Sequence, residues 1–139
     1  MAAFNKFNAF VADIANKVHN LGGDTLKVML SNTAPAAANA VRADITEIAA
    51  GNGYTAGGTQ ATLVSSAQAS GTYALKLNNV TFTASTGAIG PFRYCVLYNS
   101  TAAGGNLIGW YDYGTALTVT AGNSFQVQFD PANGVLQLA

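Results

Sequence analysis

A chain of 139 residues fits one domain, since single domains commonly run about 100–200 residues, and it leaves no room for a second catalytic unit. Half the residues are apolar and only 9% are charged, against roughly 25% in ordinary soluble domains, so Asn, Thr, Ser, Gln and Gly must supply the polar cover. Six basic residues balance six acidic ones, and without a net positive field neither nucleic acid nor an anionic membrane surface is expected as a partner.

No apolar stretch approaches the roughly 20 residues of a membrane-spanning helix, and Met1 to Phe4 lacks the basic start and apolar run of a signal peptide. Synthesis in the cytoplasm is the expectation. Phe4, Phe7, Phe10, Val11, Ile14, Val18 and Leu21 recur at spacings of three, four and seven, which predicts an N-terminal amphipathic helix within 1–21. Gly22-Gly23 is its expected stop. Its stripe should lie on the sheet of the same chain.

Residues 24–139 read as a β-rich core. Leu26, Val28 and Leu30 alternate with Lys27, Met29 and Ser31, the period of a half-buried strand. From Thr33 to Thr59 the alternation dissolves, apart from Val41–Ile48, which could make two helical turns. A long connection of that kind is commonly a contact loop, and the segment 33–59 is the expected interaction segment. Ala61–Ser66, Thr72–Leu77 and Val80–Ala84 read as short strands. Pro91–Tyr98 is apolar at successive positions and should lie mid-sheet, paired in a hairpin with Leu107–Gly114. Leu117–Val119, Phe125–Phe129 and Val135–Leu138 complete a set of close-spaced short strands, with Asp130 to Gly134 as a tight turn. The predicted architecture is mainly β: a β-sandwich or Greek-key barrel of short antiparallel strands with one N-terminal helix.

The inventory for catalysis is thin. One histidine, one cysteine, one glutamate and five aspartates must supply every titratable donor or base. His19 has no partner at a recognisable spacing and reads as a helix-end residue. Cys95 sits in an apolar run and reads as a buried small side chain. His19 and Cys95 are far apart in sequence, so no zinc site is expected, and no cofactor. Asp112 among Trp110, Tyr111 and Tyr113 could form a sugar platform with an acid, with Asp130 as a guessed second carboxylate; core or interface anchoring is the stronger reading. Asp44 and Glu47, three apart beside Arg42, read as a solvated turn with local pairing. Gly51, Gly53, Gly57 and Gly58 give the loop around Asn52 and Tyr54 its backbone freedom, without the Gly-Lys-Ser/Thr of a phosphate loop.

The order of motifs Phe4-Asn5-Lys6-Phe7-Asn8, Asn20-Leu21-Gly22, Leu26-Lys27-Val28-Met29-Leu30-Ser31-Asn32-Thr33-Ala34-Pro35, Glu47-Ile48-Ala49-Ala50-Gly51-Asn52-Gly53-Tyr54, Gly90-Pro91-Phe92-Arg93-Tyr94 and Leu107-Ile108-Gly109-Trp110-Tyr111-Asp112-Tyr113-Gly114 resembles a family of small structural proteins of tailed bacteriophages. The resemblance spans nearly the whole chain and brings no catalytic residue with it. It implies a non-enzymatic head decoration, or cement, protein on the capsid exterior, made in the host cytoplasm. Its partners would be the major capsid protein and further copies of itself, with a trimer the natural form at threefold positions. A tail or receptor-binding component touching host surface carbohydrate is the alternative. The residues expected at the interface are Phe4, Phe7, Arg42, Glu47, Asn52, Tyr54, Trp110, Tyr111 and Tyr113.

Overall fold

The structure, a computed structural model, describes residues 2–139. It is mainly β and antiparallel, with one short helix near the N-terminus, as the spacing predicts. The apolar run around Cys95 forms β7 (Ile89–Asn99) in the middle of a five-stranded sheet. On one side of it lie β8 (Leu107–Val119) and then β1 (Phe4–Lys6); on the other lie β2 (Leu26–Ser31) and then β3 (Thr59–Gln60). The expected hairpin is present, pairing Cys95 with Tyr111 and Val96 with Trp110. A three-stranded sheet, ordered β10 (Leu136–Leu138), β5 (Thr72–Leu77), β4 (Leu63–Ala69), and a two-stranded one of β6 (Val80–Thr83) and β9 (Ser124–Val127) complete the fold.

Alternation along the strands makes the arrangement sandwich-like. Val28, Leu30, Cys95, Leu97 and Ile108 of the large sheet share one apolar cluster with Leu75, Leu77, Val80, Phe82 and Val127 of the smaller two. The opposite face of the large sheet presents Met29, Val96, Tyr98 and Leu107, closed over by Phe7, Ile45 and Trp110. Because β7 is covered on both faces, it needs apolar residues at consecutive positions. The single cysteine lies here, buried, and burial pushes its thiol up to about 12. Pro91, without an N–H to donate, occupies the stretch between Ile89 and Phe92 where pairing with β8 slips register, a place proline is tolerated.

The N-terminal segment departs from the expected helix over 1–21. Met1 is outside the described residues; Phe4 to Lys6 form β1 on β8, and helix α1 runs only from Asn8 to Ala15. Its stop is a Schellman turn: Lys17 takes φ 66°, its N–H bonds the Ile14 carbonyl, and the Val18 N–H bonds the Asp13 carbonyl. Lysine stands where glycine is the usual signal, and the expected stop, Gly22-Gly23, begins five residues further on. Phe10 is buried in the main cluster and Ile14 packs against it, so the helix does lie on its own chain, but Val11 of the expected stripe is exposed.

Three other boundaries move. Val41–Ile48 makes a single 3-10 turn at Arg42–Asp44, not two helical turns, because the Asp44 carboxylate accepts the Ala40 and Val41 N–H groups and tightens it. Ala61 is held to β2 by its N–H on the Leu26 carbonyl at 2.9 Å, so β4 begins at Leu63 and runs on to Ala69. Leu117–Val119 is no separate strand but the end of β8, thirteen residues long.

Candidate functional site

The segment 33–59 is tied to the large sheet by Glu47. An isolated bridge pairs Glu47 with Ser31, and the Ile48 N–H bonds the Leu30 carbonyl, so this segment continues along β2 the row that β3 occupies at Lys27 and Val28. Glu47 Oε2 accepts the Tyr54 hydroxyl and the Gly57 N–H, each at 2.6 Å, while Oε1 meets Arg42 Nη2 at 3.2 Å. Tyr54 Oη in turn accepts the Leu30 N–H at 3.0 Å, and the Tyr98 hydroxyl donates to the Gly57 carbonyl at 2.6 Å. Burial and the bond to Glu47 hold the Tyr54 phenol far above its ordinary range. It therefore remains a donor at neutral pH.

Beside this network runs an open groove of about 510 Å³, lined by Arg42, Ile45, Tyr98, Ser100 and Gly105 among others. The Arg42 guanidinium lies 5.6 Å from the Tyr98 ring centroid and is already paired with Glu47, so the groove carries little free charge. Among the described residues no three of His, Cys, Asp and Glu gather into a metal-binding group. None of the described helices is long and apolar enough to cross a membrane.

A second polar cluster locks the N-terminal segment to the tip of the β7–β8 hairpin. Asn99 Oδ1 accepts the Thr101 and Ala102 N–H groups, which forces its amide nitrogen toward His19 Nδ1 at 3.0 Å and Asp24 Oδ2 at 2.6 Å. His19 Nδ1 must therefore accept, and its proton sits on Nε2, buried and without a hydrogen-bond partner; Asp13 Oδ2 lies 3.9 Å away. Burial lowers the His19 pKa, against the pull of Asp13 and Asp24. The unfolded chain takes up this proton near pH 6.5 while the folded chain does so only lower, so His19 contributes stability that is complete above about 6.5 and declines as pH falls below it. Urea midpoints measured from about pH 8 to pH 5 should fall on the acid side, and His19→Gln should flatten that fall. An equally steep decline in the variant would remove His19 as its source.

The structure separates the residues expected at an interface. Phe7, Tyr54 and Tyr111 are buried inside the chain, which corrects their expected place at a contact surface: apolar strand alternation and the Glu47 network turn them inward. Tyr113 is half-buried, edge-on to Phe125, with its phenol raised chiefly by burial. Phe4 is half-buried 5.5 Å from the Tyr111 ring, and Trp110 lies 4.5 Å from Phe7. Strand period two sends Trp110 and Asp112 to one face and Tyr111 and Tyr113 to the other, so no four-residue platform forms. Asp112 is gripped by Arg93 at 2.7 and 3.0 Å, which with the Gly114 N–H holds its carboxyl below the usual range. Asp130 caps its own turn through Ala132 and Asn133. Asn52 (φ 58°) is exposed and bonds the Ala88 carbonyl; Arg42 is exposed and Glu47 half-buried.

No family model, curated protein or solved structure matches this chain. The reading of function therefore rests on its own residues and on the order of motifs. Sequence reasoning missed Tyr98, Asn99 and Arg93. Arg93 and Asp112 meet only through the hairpin register, and Asn99 is an ordinary strand-end asparagine until the turn after it is known.

Proposed function

We propose that the chain is a non-enzymatic virion protein, a head decoration or cement subunit that sits on the outside of a phage capsid and joins neighbouring major capsid proteins. What supports this is the character of its surface. From Ile48 to Leu75 no residue is charged, and three of the four large apolar side chains left exposed, Leu63, Val64 and Leu138, lie on the outer strands of one sheet. Such a surface repels like copies weakly and gains by being covered. Repetition on a symmetric shell multiplies modest contacts, so each copy need not bind tightly. The groove beside Arg42, backed by the fastened loop 33–59, offers a shaped and nearly neutral surface for a capsid segment.

Quantitative mass spectrometry of purified particles tests the reading. A cement role requires copy numbers comparable to the major capsid protein, with density on the outer shell in electron microscopy. A handful of copies at the tail would overturn it in favour of a receptor-binding role, and absence from the particle would overturn both.

A further inference from the structure

The three-stranded sheet ends in an edge that the chain itself leaves open. β4 has seven residues, whereas β1 and β10 have three, β3 two, and β6 and β9 four each, so it is the longest edge strand of the fold. Among the described residues, no backbone group from Leu63 to Ala69 bonds to anything except β5. Every second N–H and C=O of the strand is thus turned outward and unpaired.

Edge strands are normally guarded by charge, by proline or by a covering element. β4 has no charged residue and no proline. Its one irregularity, the slip between Leu63 and Ser65, lies at the start of the strand, next to two exposed apolar side chains, Leu63 at 45% and Val64 at 56%. The regular part, Ser65 to Ala69, pairs residue by residue with β5.

We propose that β4 pairs antiparallel with β4 of a second copy about a two-fold axis at Ala67, joining two three-stranded sheets into one of six strands. That register sets Ser65 against Ala69, Ser66 against Gln68 and Ala67 against itself, pairing the whole regular stretch. On the solvent face β4 itself carries only Ser65, Ala67 and Ala69, so no bulky side chain of that face of the edge strand obstructs the approach; Lys76 and Gln137 stand on the strands behind it. Charge selects the occupant. An acidic or basic partner finds no counter-charge on the strand, whereas a second copy meets no repulsion. The nearest charge, Lys76, lies on β5, so the two copies of it stand three strand spacings across and four residues along from each other, about 20 Å. That exceeds the screening length of about 8–10 Å near physiological salt. The contact rests on the edge alone; it would serve the shell reading but does not depend on it.

Sedimentation equilibrium of the full chain over a wide concentration range should show a species of twice the 14.2 kDa chain mass. Ala67→Glu sets two carboxylates face to face on an exposed position and should weaken the dimer at least about tenfold with circular dichroism unchanged. Ala67→Cys should form an interchain disulfide under mild oxidation, because opposed Cβ atoms at about 4.5–5.5 Å need only a small shift to reach the roughly 3.5–4.5 Å of the bond, while Thr72→Cys on the next strand should not. A chain monomeric at every concentration, a closed trimer, or a dimer indifferent to Ala67→Glu and not cross-linked by Ala67→Cys would overturn the proposal. A monomer that still occupies capsids sinks this contact and leaves the cement role standing; a dimer missing from particles does the reverse.

Discussion

Glu47→Ala is expected to lower the stability of the fold by about 2–4 kcal/mol, read as a shift in the urea midpoint at unchanged slope. The substitution strips the acceptor from both the Tyr54 hydroxyl and the Gly57 N–H, and hydrogen bonds to a charged group contribute about 1.5–3 kcal/mol each. The two losses should not add fully, since the Glu47 side chain is 17% exposed and water can enter beside it. The Arg42 arm adds little, because that guanidinium is 44% exposed and such pairs are worth about 0–1 kcal/mol. Glu47→Gln separates the terms. Its amide oxygen can keep Tyr54 and Gly57 as neutral hydrogen bonds, while its NH₂, itself a donor, gives up the Arg42 pair, so a smaller loss of about 1–2 kcal/mol is expected. Equal losses in the two variants would show that charge, not the pair of hydrogen bonds, holds the loop.

Gly58→Ala should cost about 2–5 kcal/mol, more than an alanine at any freely exposed glycine. Gly58 has φ 79°, and a Cβ there would overlap the Val28 carbonyl oxygen and crowd Met29, backbone that cannot give way without shifting β2. The left-handed conformation alone costs an alanine about 1–2 kcal/mol, and overpacking adds about 1–3. Gly71 supplies the internal control: its φ is 82°, yet nothing lies within 4 Å of the Cβ that alanine would add. Gly71→Ala should therefore show the conformational part only. Similar midpoints for the two variants would refute close approach as the reason for glycine at position 58.

These two positions show what could and could not be read along the chain. Glycine at 51, 53, 57 and 58 announced unusual backbone, and all four do have positive φ. The alternation in β2 and the doubly covered β7 were equally legible, because period and burial are local signals written in consecutive residues. Along the chain Glu47 reads only as a member of a solvated turn and as a candidate contact residue. Its partners Tyr54 and Gly57 lie up to ten residues away along irregular chain, where no period exists to say which side chains converge. Phe4 misled for a different reason. Its spacing from Phe7 suits a helix, but the N–H and C=O groups of Phe4 to Lys6 find partners on Trp110 and its neighbours, and that tertiary pairing overrides local periodicity. Burial of Tyr111 likewise follows from the face that β8 turns to the core, and that of Tyr54 from its bonds to Glu47 and Leu30. A rule that aromatic residues mark contact surfaces cannot tell the two faces apart.

The pairing of β1 with β8 also sets a schedule. Phe4 and Tyr111 are partners across the sheet, so during synthesis at about 5–20 residues per second the first strand waits roughly 5–20 s for the residue it will face. Pairings this distant along the chain place the fold among slow, non-local topologies that close in milliseconds to seconds. The nascent chain must meanwhile hold its phenylalanines without their sheet, with almost no charge to keep neighbouring ribosome products apart, so crowding on a polysome is the moment at which this molecule is most exposed to error.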